Sequence, residues 1–273
     1  MDEVTFIIKT FERPYCVKRL VKSIFQKYPD AKILIADDSA QTCKEYFKNK
    51  YPNKDITVYE LEEDQGLSFG RNYLVDRVNT DYFVLLDDDF VFDSKTDIEK
   101  GLSIFKEKNL DILGGYIRNY VMRDGIVSLI KLTIQNIIKY NKPANYLGKF
   151  KYSENDKILY IERIKNQFPN YIETDIVLNF FIAKTEVIRN YNRWDDELKL
   201  QEHTAFFYKA KKNGLRVGFS NVFSVQHKPM RVNQYGEYRN RDYTQVFMRK
   251  YDIYKIISKY DDGSIVITEN ENC

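Results

Sequence analysis

Apolar and polar positions alternate in blocks along the first third of the chain, and the blocks switch between two periods. Residues 4–10 form a short apolar run of strand length. Pro14 then opens a stretch in which Val17, Leu20, Val21, Ile24 and Phe25 recur at the spacing of one buried helix face. Residues 32–36 predict a second strand, 56–61 a third, 67–78 a helix and 82–86 a fourth strand. Such alternation implies a mostly parallel central sheet of Rossmann type with helices on both faces, in a single α/β domain. Ligands on such sheets bind beyond the carboxyl ends of the strands. Thr10, Asp38 and Asp89 all fall at those ends, so three polar sites are expected along one edge.

The pattern beyond residue 92 is less regular. Residues 111–120 predict a strand in which Gly114 and Gly115 allow close backbone approach. The stretch 126–140 is apolar with scattered lysines and suits either helix or strand. Residues 141–170 are polar and predict loops around a short strand at 158–161. A strand is expected over 175–183, an amphipathic helix over 201–213 closed by Gly214, and a strand over 216–226 running into His227. The rest is basic and aromatic, including Lys228, Arg231, Tyr235, Arg239, Arg241, Arg249 and Lys250, and is expected to be helical in part. We therefore expect a nucleotide-binding half at 1–92, a catalytic and acceptor half at 93–228, and a tail at 229–273 packed on them.

Composition adds limits. Hydrophobic residues make up 43% and charged residues 30% of 273, which suits a soluble globular core. A net charge of +3 is too mild to argue for nucleic acid. Cys16, Cys43 and Cys273 are odd in number and lack metal-type spacing, as in a reducing compartment. The chain begins almost directly with a strand and has no apolar run of membrane-spanning length, so a cytoplasmic location is expected.

Chemistry enters where the run at 82–86 drives into Asp87, Asp88 and Asp89. Three carboxylates at the end of a buried strand repel one another and lose hydration. A hard divalent cation such as Mg²⁺ or Mn²⁺ makes the cluster favourable, because it prefers carboxylate oxygens. The competing reading is a solvated acidic turn.

Taken in order, the motifs resemble a glycosyltransferase of the GT-A fold, family 2-like. The segments are Lys9-Thr10-Phe11-Glu12-Arg13, Asp37-Asp38-Ser39, the Gly66 to Asn72 turn into an Arg-Asn helix, and the DXD-like Asp87-Asp88-Asp89. Within that family the likeness is to ganglioside-type β-1,4-N-acetylgalactosaminyltransferases, on those segments plus 174–181, 203–207 and 215–218. The resemblance implies a metal-dependent, inverting transfer of N-acetylgalactosamine or a similar hexose from a UDP-sugar. The acceptor would be a hydroxyl of an oligosaccharide or lipid-linked glycan, in surface polysaccharide or related glycan synthesis.

The resemblance also implies roles. Asp89 and His227 would ligate the metal, Asp88 would lie near the ribose and the ion, and Asp87 would support the turn. Asp37, Asp38, Thr10, Glu12 and Arg13 would line the nucleotide site, and Arg71 would reach its phosphates. Simpler readings are a helix cap for Asp38, a surface pair for Arg71 and a backbone-bonded strand end for His227. The wider family carries Glu-Asp at the start of the late helix, where this chain has Glu202-His203. Glu202 is the first candidate for the base, His203 the second and Asp175 the third. Tyr140, Tyr146, Phe150, Tyr152 and Tyr160 are candidates for stacking on acceptor sugars. The basic tail could hold diphosphate or make peripheral contact with the inner face of an anionic membrane. Two other classes compete: a nucleotidyltransferase, disfavoured because residues 4–14 contain no glycine, and an inactive glycan-binding relative.

Overall fold

The computed structural model describes residues 1–119, 147–164, 169–199, 202–229, 243–260 and 262–271. The central sheet starts from strand β1 (Val4–Thr10), every residue of which is buried. It is flanked in parallel by β2 (Lys32–Asp37) and β4 (Tyr82–Asp87), with β3 (Ile56–Glu60) beyond β2. Register pairs Thr10 with Asp37 and Lys9 with Asp87. The polar strand ends therefore share one edge, as expected.

The second half of the sheet is mixed. β10 (Phe181–Lys184) runs antiparallel between β4 and β6 (Ile112–Asn119). β11 (Val217–His227) is parallel to β6, and β9 (Ile172–Glu173) pairs with its start. β5 (Phe90–Val91), just after the acids, pairs antiparallel with the end of β11, setting His227 opposite Phe90. That pairing brings two segments 137 positions apart to one place.

Helices cover both faces. α1 (Pro14–Lys27), α2 (Lys44–Lys50) and α4 (Ile98–Glu107) contribute Leu20, Phe47 and Phe105 to one core with Phe6, Val84 and Phe223. α3 (Leu67–Val75), α5 (Thr185–Tyr191), α6 (Glu202–Lys212) and α7 (Thr244–Lys250) contribute Leu74, Ile188, Phe206 and Phe247 to the other. The strand expected over 175–183 shrinks to β10, because 174–180 cross close over β6. A Cβ on Gly114 would stand 2.5 Å from that of Val177, and one on Gly115 would stand 2.4 Å from the Phe180 ring. Only glycines admit this approach.

The strand expected at 158–161 is present as the start of β8 (Ile158–Ile164), while the loop expected before it forms, where described, a partner strand β7 (Leu147–Ser153) in a hairpin. The tail adds β12 (Lys255–Lys259), parallel to β8, and β13 (Ile265–Glu269), completing a separate four-stranded sheet. Its inner side carries Phe150, Leu159 and Ile256 into the second core. The acceptor reading for Phe150 and Tyr152 is corrected here. Phe150 is buried, and Tyr152 packs edge-on against Tyr208 while donating to the Asp252 carbonyl at 2.9 Å. Cys16 and Cys43 are free and buried. The stretch 126–140, Tyr140, Tyr146, Arg231, Tyr235, Arg239, Arg241 and Cys273 lie outside the described residues.

Candidate active site

The loop after β1 turns through Glu12, whose φ of 53° is the left-handed region. That turn aims Glu12 at the neighbouring loop. Its N–H donates to Ser39 Oγ at 2.7 Å, and its Oε1 accepts from the Ala40 N–H at 2.7 Å. Glu12 thus joins the loops after β1 and β2, and its carboxylate is committed to backbone rather than to a ligand.

Thr10 and Arg13 face the acids. Thr10 Oγ1 donates to Asp88 Oδ2 at 2.7 Å. Arg13 sends Nη1 to Asp89 Oδ2 at 2.9 Å and Nη2 to Asp88 Oδ1. Burial pushes the Asp88 carboxyl up to about 7, with Arg13 pulling against it and Asp89 adding to it. Burial also raises Asp89, but His227 and Arg13 together outweigh that and hold it below the usual carboxylate range. Arg19, which the sequence did not single out, donates to the Lys228 carbonyl at 2.5 Å, and the Lys228 N–H donates to the Asp89 carbonyl at 2.9 Å.

The two aspartates after β2 divide their work. Asp37 is fully buried and accepts from the N–H groups of Ser39 at 3.1 Å and Cys43 at 2.8 Å. The capping role weighed for Asp38 therefore falls to Asp37, which organises the entry to α2. Asp38 accepts from the Gly66 N–H at 3.0 Å and pairs with Lys9. Lys9 is only 5% exposed, and burial lowers its pKa even against the pull of Asp38. Gly70 makes room for it, since a Cβ there would stand 2.4 Å from Lys9 Cδ. A charge inside an apolar strand was the available signal for Lys9.

Across the edge, Arg71 on α3 is 1% exposed and bridges two acids. Its Nη1 donates to Glu202 Oε1 at 2.8 Å and its Nη2 lies 3.3 Å from Asp87 Oδ1. The expected reach to phosphates is corrected: the buried guanidinium ties the acidic strand end to the start of α6. Next to it, Asn72 holds the 194–196 turn through Trp194 and Asp196.

His203 is half-buried, with Nδ1 2.8 Å from Asn179 Oδ1. Burial first and Arg71 second lower its pKa to about 3. A group that stays neutral to that point is a weak proton acceptor, which favours Glu202. The shift also carries a stability prediction. As pH falls through about 6.5, the unfolded chain takes up the proton first, so stability is complete above that pH and declines below it. Between pH 7 and 5, His203 is expected to cost the fold up to about 2 kcal/mol, at ~1.4 kcal/mol per pH unit. Urea melts at both pH values test this: His203→Asn should lose correspondingly less than the wild type, and equal losses would mean the ring is not shielded.

Asp175 is not brought to the site. It accepts from the Phe150 N–H at 2.8 Å and pairs with Lys211 at 3.0 Å, near the far end of α6. Lys211 lies nine positions after Glu202 in the helix, about 13 Å of rise. Asp175 links β7 to α6 instead.

The residues expected to hold a metal can be tested for fit. Among the described residues no three His, Cys, Asp or Glu side chains group so as to hold an ion by themselves. His227 Nδ1 lies 3.1 Å from Asn119 Oδ1, and its Nε2 lies 3.4 Å from Asp89 Oδ2. In the tautomer whose Nδ1–H donates to Asn119, Nε2 turns a lone pair toward the Asp89 carboxylate, where a proton on Nε2 or a bound cation would join them. Two lone pairs facing each other suit a shared cation. Asp88 Oδ1, buried and ion-paired with Arg13 but without an aligned hydrogen bond, is a second carboxylate oxygen at the same turn. One or two protein ligands are enough for Mg²⁺ or Mn²⁺ when substrate phosphates complete the shell. The set fits.

Comparison with known proteins places the chain in a family. A model described as Glycosyl transferase family 2 matches residues 5–161, more than half of the chain. Beta-1,4 N-acetylgalactosaminyltransferase 1 of Mus musculus is 31% identical over 225 residues, covering 82% of this chain and 38% of that protein. Beta-1,4 N-acetylgalactosaminyltransferase 2 of the same organism is 30% identical over 204 residues, covering 75% and 35%. The chain thus spans well under half the length of these relatives. The crystal structure of S. aureus TarS 1-349 in complex with UDP-GlcNAc superposes with a TM-score of 0.61 at 14% identity, covering 91% of this chain and 65% of that one. That likeness supports the GT-A fold alone.

Proposed function

The chain belongs to glycosyl transferase family 2, and on that premise we propose that it is a metal-dependent, inverting glycosyltransferase using a UDP-sugar. N-acetylgalactosamine or a similar hexose is the donor group that its relatives' names suggest. The acceptor is a hydroxyl of an oligosaccharide or lipid-linked glycan, reached at a membrane surface by peripheral contact. No helix among the described residues is long and apolar enough to cross a membrane.

The observation carrying this reading is the pairing of β5 with β11, which puts His227 Nε2 3.4 Å from Asp89 Oδ2 beside Asp88. Asp89 and His227 are the residues we assign to Mn²⁺ or Mg²⁺, which as a Lewis acid would stabilise the charge growing on the diphosphate leaving group. Thr10 and Arg13 hold Asp88 and Asp89 in place, and Arg13 is the nearest cation for phosphate oxygens. Asp38, oriented by Lys9 and Gly66, is assigned to the nucleobase. Glu202 is the base. Arg71 engages its Oε1, so Oε2 is assigned the proton of the acceptor hydroxyl. The acceptor oxygen then attacks the anomeric carbon in line as the bond to UDP breaks, through an oxocarbenium-like state, inverting the centre.

A panel of UDP-sugars assayed for UDP release with an acceptor, with and without Mn²⁺, tests the reading. Turnover is expected only with the divalent ion and is expected to vanish with a chelator. Transfer or hydrolysis that a chelator leaves unchanged would sink the metal assignment.

A further inference from the structure

The outer face of the four-stranded sheet carries a pattern the active-site edge does not use. Residues directly opposite one another in a sheet point to the same side. One row across β7, β8, β12 and β13 reads Lys151, Tyr160, Ile257, Ile267. A second reads Lys149, Glu162, Lys259, Ile265, and a third Ser153, Ile158, Lys255, Glu269. Tyr160, Ile265 and Ile267 are 36%, 58% and 57% exposed. β13 is also the outer strand among the described residues, so its apolar side chains lie at the edge of the sheet. An exposed apolar edge of this kind calls for a cover.

The charges say what the cover is. The face holds four lysines against two glutamates; Lys255 pairs with Glu269 at 2.8 Å and Lys149 lies 3.8 Å from Asp175, which leaves Lys151 and Lys259 against Glu162. A second copy of the chain on a twofold axis would set this lysine-rich patch against itself. A protein core would strand the same ammonium groups away from water. An anionic lipid surface meets both demands: headgroups neutralise the lysines, whose stems snorkel, while Ile and Tyr settle at the boundary.

We propose that the outer face of this sheet, centred on Lys151, Tyr160, Ile257 and Ile267, rests on an anionic lipid surface. It depends on the peripheral contact proposed above and names the surface that makes it. That surface is the second sheet, half of it built from the last strands of the tail, rather than the basic residues 228–250.

Sedimentation with vesicles of phosphatidylcholine, alone or containing phosphatidylglycerol, tests it. The wild type is expected to bind the anionic vesicles at least about tenfold more tightly than the neutral ones, and less as salt rises. The double substitutions Lys151→Glu with Lys259→Glu, and Ile265→Ser with Ile267→Ser, are each expected to lose at least about tenfold in binding. Both should keep wild-type UDP affinity, since neither pair touches the active-site edge. If the wild type binds and both variants bind equally well, this face is overturned while membrane contact stands. Failure of the wild type to bind either vesicle overturns both. Light scattering that shows a dimer lost in the Ile265→Ser, Ile267→Ser variant would make a second copy the cover and also overturn the proposal.

Discussion

Replacing Asp89 with alanine is expected to abolish transfer, by about a thousandfold or more, while leaving the fold standing. The carboxylate is where His227 Nε2 and the Arg13 guanidinium converge, while the Asp89 carbonyl separately accepts from the Lys228 N–H. Losing it removes the assigned metal ligand, and Lewis-acid stabilisation of a leaving diphosphate is worth several kcal/mol. The fold should tolerate the change because Arg13 keeps Asp88, and Asp88 keeps Thr10. Isothermal titration with UDP and Mn²⁺, beside a thermal melt, separates the two effects. Wild-type UDP affinity in the presence of Mn²⁺ would mean that the ion is held elsewhere.

Glu202→Gln is the second large effect and a different kind. Turnover should fall about a hundredfold or more, as for loss of a general base. Donor affinity should remain, because the glutamine oxygen can still accept from Arg71, and Arg71 still has Asp87. His203→Asn should change the rate much less, since the imidazole is held neutral down to about pH 3. The decisive comparison is kcat for the two variants at saturating donor. A dead His203→Asn with an active Glu202→Gln would reverse the roles.

These effects rest on parts of the site of unequal legibility. Asp87, Asp88 and Asp89 were visible because an apolar strand that ends in three acids is a local anomaly. Thr10 was visible because it ends the neighbouring strand, one step beyond the Lys9–Asp87 pair, and Arg13 because it belongs to the motif that follows. Lys9 stood in the quoted motif without a role, and nothing local marked Arg19. Asp175 was chosen for standing at the head of an apolar run, and its partner Lys211 turned it toward β7 instead. Part of β8 is legible at 158–161, but β7 reads as loop because its lysines alternate with few aliphatic residues. That is a sheet with one wet face rather than a core strand.

By itself the sequence determined the alternation of the first half, the shared edge of the strand ends and the acidic turn upon it. Each of these follows from period and composition within a dozen residues, where hydrophobic burial dictates the backbone. Only the tertiary structure decided that Arg71 faces Glu202 from 131 positions away, that His227 meets Asp89 through β5 and β11, and that Asp175 belongs to another contact. Those outcomes depend on register and on which charged side chains lose water together. A buried charge takes whatever partner the packing leaves within reach, and no local period encodes that choice.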